Sequence, residues 1–258
     1  MKFAILGGRG YIGSAIVDKL QIENEIFIVK PEMQSHLDEL IAFKPDLILN
    51  ACASKPDARE VVSRNANLDY PLKIFEFALN NLDYNFTWIQ LASYYELELI
   101  FGRSDPYSQH KNEFRNLLQA KSSGLNFGFR TLFLPHVIGG NERPSRLVIT
   151  AIKSIREERN FHLNEPFVNL PILIIDDAIN AIVEFMRNDQ KIATATPVWY
   201  KSNKELIQEI VQILGMKKVN FNIRTDVSSR FEKVSFPPKV EGWEPCITLQ
   251  EYILTFSE

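Results

Sequence analysis

The chain has 258 residues, of which 45% are hydrophobic and 24% are charged, and its formal net charge is −3. This is the composition of a globular protein with one large core, and the slightly acidic balance excludes an electrostatic attraction to nucleic acid or to an anionic membrane surface. The apolar runs are too short to span a membrane. Cys52 and Cys246 lie far apart in apolar surroundings, so we expect two reduced core thiols in a cytoplasmic protein.

A glycine-rich turn joins the first predicted strand to the first predicted helix. Residues 3–6 predict a short buried strand, and residues 12–20 form an amphipathic run that predicts a helix. Between them, Gly7 permits a sharp turn, Gly10 permits a close approach of the backbone to a ligand, and Gly13 permits tight packing of the helix on the sheet. Because the N–H groups at a helix start favour an anion, this stretch predicts a dinucleotide-binding site.

Strands and helices alternate along the first half of the chain. Because short loops join them, they predict a parallel sheet with helices on both faces, which is a Rossmann-type doubly wound fold of the α/β class. The interval before the third strand leaves room for one βα unit where a full dinucleotide-binding fold has two, so we expect the sheet to be trimmed near its second and third strands. Strands are predicted at residues 25–29, 46–50, 87–92 and 127–134, and helices at residues 33–43, 68–80 and 108–120.

Beyond Gly139 the pattern changes, and we expect a smaller C-terminal α/β substrate lobe that covers the carboxyl edge of the sheet, with a ligand cleft between the two parts. Residues 1–134 would form the dinucleotide-binding domain, to which residues 168–200 return, and residues 135–167 and 201–258 would form the substrate lobe. Helices are predicted here at residues 147–159, 178–185, 204–214 and 249–256, and strands at residues 172–175, near Trp199 and at residues 219–223.

A tyrosine and a lysine four residues apart are the main candidates for catalysis. Tyr107 and Lys111 share a face of a predicted helix, and a nearby ammonium group lowers the pKa of a phenol, which can then exchange a proton with a carbonyl or hydroxyl oxygen. Ser93 lies where the preceding strand ends, at the edge where ligands bind, and could donate to the reacting oxygen. Tyr200 and Lys204 have the same spacing without such a serine, so we favour Tyr107.

The histidines and the paired aspartates form no metal-binding pattern, so we predict no metal site. His136 follows a strand at the expected boundary between the lobes and is a candidate for the site, whereas His36, His110 and His162 are expected on solvated faces. The aspartates at residues 176 and 177 could bind a metal, but capping of the following helix is the simpler interpretation.

Several short motifs occur in the order typical of one enzyme superfamily. Asn67 belongs to this set, and the sequence alone leaves open whether its side chain caps a helix or lies beside Tyr107. Together the motifs make the chain resemble the extended short-chain dehydrogenases/reductases and, within them, the nucleotide-sugar epimerases, dehydratases and 4-keto reductases. They are Gly-Gly-Arg-Gly-Tyr-Ile-Gly at residues 7–13, Asn-Ala-Cys-Ala at 50–53, Asn67, Ser93, Tyr107 with Lys111, and later stretches at 136–139, 175–178 and 242–245.

The resemblance implies a role for these residues. Tyr107 would be the general acid/base, Lys111 would hold the nicotinamide ribose and tune Tyr107, and Ser93 would hydrogen-bond the substrate oxygen. The residues implied to bind the cofactor are Gly7, Arg9, Gly10, Tyr11, Ile12, Gly13, Lys30, Asn50, Ala51, Asn67, Leu91, Tyr107, Lys111, Leu134 and Pro135. The residues implied to bind the substrate are Ser93, His136 and Arg146.

The chain departs from the family pattern at the cofactor site. The acidic residue expected after the second strand, which grips the ribose of NAD, is replaced by Lys30, and Arg9 lies inside the glycine loop, as in the GDP-fucose synthase type. These cations favour the 2′-phosphate of NADP, so NAD is the less favoured cofactor. Because the register of the second strand is open, Glu32 could still be the expected acid.

The substrate side also departs from the pattern. The interval from Ser93 to Tyr107 is fourteen residues, a compact spacing that the CDP-abequose synthase type of 4-keto reductase shares. The arginine that clamps the substrate diphosphate in many relatives is missing, and Leu170 stands near its place. The residues that could substitute for it are Arg143, Arg146 and Lys153.

These features predict NADP-dependent reduction of a nucleotide-linked 4-keto-6-deoxy sugar in surface polysaccharide biosynthesis. The alternatives are an NAD-dependent nucleotide-sugar epimerase or dehydratase and a non-catalytic dinucleotide sensor, although sensors of this fold commonly lose the tyrosine or the lysine. The helices after Asn67 and Tyr107 carry apolar residues on more than one side. Relatives pair through these helices, so we expect a homodimer. Packing of both helices on their own sheet explains the apolar residues nearly as well.

Overall fold

The computed structural model describes residues 1–30, 34–122, 127–163, 166–216, 221–223 and 234–257. Glu32, the alternative acid at the cofactor site, lies outside the described residues, as do residues 33, 219 and 220 at the ends of predicted elements. The first part contains β1 (Lys2–Leu6), α1 (Tyr11–Leu20), β2 (Glu25–Val29), α2 (Gln34–Phe43), β3 (Leu47–Asn50), α3 (Glu60–Arg64), α4 (Tyr70–Asn81), β4 (Phe86–Ser93), α5 (Tyr94–Leu97), α6 (Pro106–Ser122) and β5 (Phe127–Leu134). The second part contains β6 (His136–Ile138), α7 (Leu147–Arg156), β7 (Phe161–Leu163), β8 (Asn169–Ile174), α8 (Ile175–Arg187), β9 (Ile192–Thr194), β10 (Trp199–Ser202), α9 (Asn203–Ile213), β11 (Phe221–Ile223) and α10 (Leu249–Leu254).

Six strands form one parallel sheet in the spatial order β2-β1-β3-β4-β5-β9, which confirms the predicted Rossmann-type sheet. The helix α2 joins β2 to β3, so one βα unit fills the interval in which a full fold has two, as expected. The register places the strand ends side by side, because Leu6 pairs with Val29 and with Asn50, and Ser93 pairs with Leu134. The loops that follow these strands therefore meet at one edge of the sheet.

Alternate strand residues build a separate core on each face of the sheet, as the period of two in a strand requires. Ile5 packs with α1 and α8 on one face, and Leu6 packs with α2, α4 and α6 on the other. On the second face, Trp88 is fully buried and meets the ring of Phe75 edge-on at 5.4 Å. Trp88 also contacts the ring of Phe114 on α6 at 5.9 Å. Burial of a large apolar side chain stabilises a fold by about 1.5–3 kcal/mol, so this contact helps to fix the helix that carries Tyr107.

A second sheet of three strands, in the order β10-β8-β6, lies at the centre of the C-terminal part, and β7 pairs separately with β11. Its apolar cluster combines this sheet with α7, α9 and α10, and Tyr94 of α5 joins the same cluster. Within residues 168–200, α8 and β9 return to the main sheet, whereas β8 and β10 belong to the second sheet. The segment therefore alternates between the two sheets.

The paired aspartates do not cap a helix, so that prediction is wrong. The helix α8 begins at Ile175, which places both aspartates inside its first turn. Asp177 instead accepts hydrogen bonds on Oδ2 from the backbone N–H of Cys246 at 3.0 Å and of Ile247 at 2.8 Å, and so holds the C-terminal segment against α8. Cys246 is exposed and Cys52 is half-buried, so the prediction of a core thiol is wrong for Cys246; both thiols are free.

The described residues lack two further features, a membrane-spanning helix and a metal-binding cluster. None of their helices combines the length and the apolar character needed to cross a membrane. Among the same residues, no three His, Cys, Asp or Glu side chains gather in a way that could hold a metal ion.

Candidate active site

The glycine loop between β1 and α1 folds tightly against its surroundings. Gly7 has a φ of +74°, and a Cβ there would lie 2.8 Å from the backbone of Ala51 and of Cys52, so this turn requires glycine. A Cβ on Gly13 would lie 2.1 Å from the carbonyl oxygen of Gly7. Gly13 thus packs against the loop itself, where the sequence predicted packing on the sheet.

The start of α1 fits an anion. The backbone N–H of Gly10 donates to the Gly7 carbonyl at 2.8 Å, which closes the loop, and Gly10 has no side chain that could cap the helix. The first N–H groups of α1 therefore have no side-chain acceptor at the N-cap. The helix dipole favours negative charge at this N-terminus. This arrangement suits the pyrophosphate of a dinucleotide. Arg9 is exposed on the same loop, and Tyr11 and Ile12 are half-buried.

Asn50 shapes the turn after β3. Its buried amide donates from Nδ2 to Oε1 of Gln90 at 2.8 Å and accepts on Oδ1 from the backbone N–H of Cys52 at 3.0 Å. The Asn50 side chain is thus engaged within the protein, and the half-buried Ala51 is the residue that closes against Gly7. Lys30 is half-buried and follows Val29, the strand partner of Leu6, so it leaves the sheet next to the glycine loop.

Asn67 connects the turn after β3 to the helices behind it. It lies in a π-helical turn, Asn65–Asp69, and does not cap a helix. Its Nδ2 donates to Ser54 Oγ at 2.9 Å and to Ser63 Oγ at 3.1 Å, and Ser63 Oγ lies 3.1 Å from Nδ1 of His110 on α6. His110 is buried in this network and His36 is also buried, so the expectation of solvated faces is wrong for both, while His162 is exposed as expected.

The structure brings together the three residues predicted to do the chemistry. Ser93 ends β4, and its side chain lies close enough to Tyr107, near the start of α6, to act on the half-buried phenol. Lys111, one turn further along α6, is buried and donates from Nζ to the carbonyl oxygen of Leu91 at 2.9 Å. Its Nζ lies 5.8 Å from the centre of the Tyr107 ring. Leu134, the partner of Ser93 on β5, and the buried Pro135 continue the same edge.

The protein keeps the Tyr107 phenol protonated. Burial raises its pKa, and the nearby Ser93 side chain, which lowers it, does not outweigh burial. Burial shifts the pKa of Lys111 in the opposite direction and lowers it, because the protonated form is the charged form of a lysine. The pKa of Tyr107 is therefore raised overall, whereas the sequence predicted a lowered value, so that prediction is wrong. A protonated phenol is the form that a general acid needs.

A short connection carries the chain from Ser93 to Tyr107. It consists of α5, a 3₁₀ turn over Glu98–Phe101 and a left-handed residue, Gly102, with a φ of +88°. Arg103 then folds back on the earlier part of this connection. Its guanidinium group lies 3.5 Å from the centre of the Tyr95 ring and pairs with Glu98 at 2.6 Å. The Tyr95 ring in turn meets the Tyr107 ring edge-on, at 6.2 Å between ring centres.

Asp105 fixes the start of α6. Its carboxylate accepts the backbone N–H of Ser108 at 2.9 Å and the hydroxyl of Ser108 at 2.8 Å, and it also pairs with Arg103. Sequence reasoning missed both Arg103 and Asp105. The available signal was an aspartate directly before Pro106, which is typical of a helix start.

Two of the three residues predicted to bind the substrate, His136 and Arg146, contact each other. Arg146 Nη2 lies 2.9 Å from Nε2 of His136, and its Nε pairs with Glu142 at 3.0 Å. Glu142 accepts the backbone N–H of Gly139 at 2.8 Å, and Tyr11 donates from its hydroxyl to the carbonyl oxygen of Gly139 at 2.7 Å. Burial, and then the charge of Arg146, lower the pKa of His136 to about 3, so its imidazole is neutral.

The other candidates lie elsewhere. Arg143 and Lys153 are exposed, and Leu170 lies within β8, where it pairs with Lys201 of β10. Tyr200 belongs to β10, and its hydroxyl accepts the backbone N–H of Val234 at 3.2 Å.

The fold and the glycine loop define a Rossmann-type protein with a dinucleotide site at the carboxyl edge of its sheet. The chain belongs to the NAD dependent epimerase/dehydratase family, whose model matches residues 3–196. It is thus an NAD(P)-dependent enzyme of the extended short-chain dehydrogenase/reductase type, within the nucleotide-sugar epimerase/dehydratase group.

Three proteins illustrate the similarity. The chain is 24% identical over 249 residues to CDP-abequose synthase from Yersinia pseudotuberculosis, and the match covers 85% of this chain and 86% of that protein. In fold it is similar to dTDP-glucose 4,6-dehydratase from Bacillus anthracis in complex with NAD, with a TM-score of 0.77, 17% identity and coverage of 99% and 94% of the two chains. It is also similar to RMD from Pseudomonas aeruginosa complexed with NADPH, with a TM-score of 0.75, 15% identity and coverage of 98% and 96%.

Proposed function

We propose that this enzyme reduces the 4-keto group of a nucleotide-linked 4-keto-6-deoxy sugar with NADPH, with Tyr107 as the general acid. The observation that carries the proposal is the convergence of Ser93, Tyr107 and Lys111 at the carboxyl edge of the sheet, the same edge at which the glycine loop lies. The similarity to CDP-abequose synthase supports the choice of a reductase.

Each side chain contributes a separate part of the reaction. A nicotinamide dinucleotide held by the glycine loop would supply the hydride for the keto carbon. Tyr107 donates its proton to the keto oxygen, so that a hydroxyl group results, and Ser93 donates a hydrogen bond that orients the same oxygen. Lys111 carries a positive charge near the phenol and stabilises the phenolate that remains after the proton has left. His136 and Arg146 would contact the nucleotide sugar from the second lobe.

The preference for NADP rests on two cations. Lys30 leaves the sheet next to the glycine loop, and Arg9 is exposed on that loop. An acidic side chain after the second strand would hydrogen-bond the ribose hydroxyls of NAD, whereas cations at these positions attract a 2′-phosphate. Titration with NADPH and NADH tests this directly, and tighter binding of NADH would contradict the proposal.

The reaction can be tested by following NADPH oxidation with CDP-, GDP- and dTDP-linked 4-keto-6-deoxy sugars. We expect the wild type to turn over one of them and Tyr107→Phe to lose about 10²–10⁴-fold in kcat, because the general acid is gone, while its affinity for NADPH remains. Tyr200→Phe is the matched control, since Tyr200 and Lys204 have the same spacing in the second lobe. Near wild-type activity in Tyr107→Phe would reject the assignment.

The same assay separates the alternatives. Interconversion of sugars without net NADPH oxidation identifies an epimerase, and loss of water from the sugar identifies a dehydratase. Tight dinucleotide binding with no turnover of any sugar favours a sensor.

The proposal extends to the organisation of the molecule. Residues 1–134, with α8 and β9, would hold the dinucleotide, and the second lobe would hold the nucleotide sugar, for surface polysaccharide biosynthesis in the cytoplasm. The homodimer expected through α4 and α6 is supported on α6 by Leu117, which is 37% exposed, and the neighbouring α3 adds Val61 at 80% exposure. Sedimentation analysis distinguishes the monomer from the dimer.

A further inference from the structure

Glu96 is a buried carboxylate beside the candidate catalytic residues, and the mechanism above does not use it. Its side chain is only 1% exposed. One oxygen, Oε1, accepts the backbone N–H of Ser93 at 2.8 Å, and the other, Oε2, pairs with Nε of Arg115 at 3.1 Å. The carboxylate thus joins the end of β4 to α6.

The residues of α6 on this side form one stripe. Tyr107, Lys111 and Arg115 follow each other at intervals of four, so they share a face of the helix. Lys111 is buried, and the acceptor of its hydrogen bond, the Leu91 carbonyl, is neutral. A buried ammonium group with a neutral partner stays protonated only when an opposite charge lies nearby.

The electrostatics agree with a counter-ion at this position. Burial lowers the pKa of Lys111, and Glu96 is the first of the groups that raise it again. Burial raises the pKa of Glu96, and the charges of Lys111 and Arg115, together with the Ser93 N–H, act against that rise. Cys52 also faces Lys111, but burial raises the pKa of its thiol to about 12, so it is uncharged at neutral pH.

The same charge acts on the phenol. Burial raises the pKa of Tyr107 most, and Glu96, Tyr95 and Asp105 raise it further, against the lowering effect of Ser93. Glu96 therefore favours the protonated form of both Tyr107 and Lys111.

We propose that Glu96 is a positioning residue whose carboxylate holds the Ser93 backbone and acts as the counter-ion that keeps Lys111 protonated next to Tyr107. Its charge thereby raises the pH above which the site stops donating a proton. The relation between Glu96 and Lys111 stands by itself, whereas its consequence for turnover rests on the proposed function.

The direction of the effect follows from the signs. Removing the negative charge lowers the pKa of both Lys111 and Tyr107. Reduction takes a proton from Tyr107, so activity is present below these pKa values and is lost as the pH rises through them. The alkaline limit of kcat should therefore move to lower pH, by about one unit for a charge at this range.

The test is Glu96→Gln, because an amide oxygen can still accept the Ser93 N–H while the charge is gone. NMR titration of protein labelled with ¹³C at the lysine Cε follows Lys111 without cofactor or substrate, and Lys111→Met identifies its signal. We expect the pKa of Lys111 to fall by about one unit. Glu205→Gln removes a carboxylate from the same type of capping box at the exposed start of α9 and should leave Lys111 unchanged.

A second variant keeps the charge. Glu96→Asp retains a carboxylate and should leave the pKa of Lys111 closer to the wild-type value than Glu96→Gln does. An unchanged Lys111 titration in Glu96→Gln, or an equal fall in Glu96→Asp, overturns the proposal. Failure of the wild type to reduce any of the sugars rejects the proposed function and leaves the NMR result as the test of Glu96.

Discussion

Gly13 has no room for a side chain. A Cβ there would lie 2.1 Å from the Gly7 carbonyl oxygen, and the obstacle is backbone, which cannot rotate away. The same carbonyl oxygen accepts the Gly10 N–H that closes the loop. A substitution at Gly13 therefore changes the shape of the anion-binding turn itself.

We expect Gly13→Ala to weaken NADPH binding by about tenfold or more and to lower the free energy of unfolding by about 1–3 kcal/mol, because the loop must open to relieve the clash. Fluorescence titration measures the first effect and thermal melting the second. Gly128→Ala is the matched control, since its Cβ would meet the end of the Thr87 side chain at 3.2 Å, within the sheet. Equal NADPH affinity in the two variants would contradict this account of the loop.

Single residues were predictable where their place along a strand or helix decides where they point. Ser93 ends a strand, and Tyr107 and Lys111 share a helix face, so local spacing sufficed for them. Glu96 depends on how α5 folds back on α6, and a glutamate carries no local sign of burial. The same reason explains why His110 was expected in solvent although it is buried against Ser63.

At the scale of elements, the connection from Ser93 to Tyr107 shows how a short segment holds two catalytic groups in place. Arg103 stacks on Tyr95, and its guanidinium group also pairs with Asp105, whose carboxylate caps α6. Loss of Arg103 thus loosens the start of the helix and the ring that packs against Tyr107 together.

We expect Arg103→Met to lower kcat by about tenfold with little change in the affinity for NADPH, because small displacements of a proton donor are costly. Arg103→Lys should recover only part of this loss, since an ammonium group keeps the charge but not the planar stacking or the two-sided pairing. Steady-state kinetics of both variants give the measurement. A wild-type kcat in Arg103→Met would show that Tyr107 is held by other contacts.

The order of elements was easier to predict than their exact limits. Counting the units before β3 was enough to expect a trimmed sheet, because each βα unit needs a minimum length. The strands β6, β7 and β9 have three residues each, too few to show a period of two, and they were missed. The early start of α8 was missed because both aspartates looked like caps, although Asp177 binds the C-terminal segment.

At the scale of the whole molecule, a chain of polar contacts joins the glycine loop to the second lobe. Tyr11, at the start of α1, donates to the carbonyl oxygen of Gly139, and Glu142 accepts the N–H of the same residue. Glu142 holds Arg146, which contacts His136 on β6. Dinucleotide binding at the glycine loop can thus affect the positions of His136 and Arg146, which are proposed to hold the nucleotide sugar.

We expect Tyr11→Phe to weaken the binding of the nucleotide sugar, measured in the presence of NADPH, by about three- to tenfold, which is the effect of one buried hydrogen bond. The affinity for NADPH alone should change less, because the ring remains. Calorimetry gives both constants. Tyr84→Phe removes a comparable hydroxyl, which donates to the Pro45 carbonyl at 3.0 Å, and should change neither. Equal losses for both ligands would argue against a link between the lobes.

The left-handed turn at Gly102 has a wider consequence. A Cβ there would meet nothing within 4 Å, and the neighbouring Ile100 is 80% exposed. The contacts that align the serine and tyrosine hydroxyls come from the two flanks of this segment, so its tip is free to vary. Over evolution, residues can be gained or shed at that point without disturbing the chemistry, and an added peptide could be displayed there for the same reason.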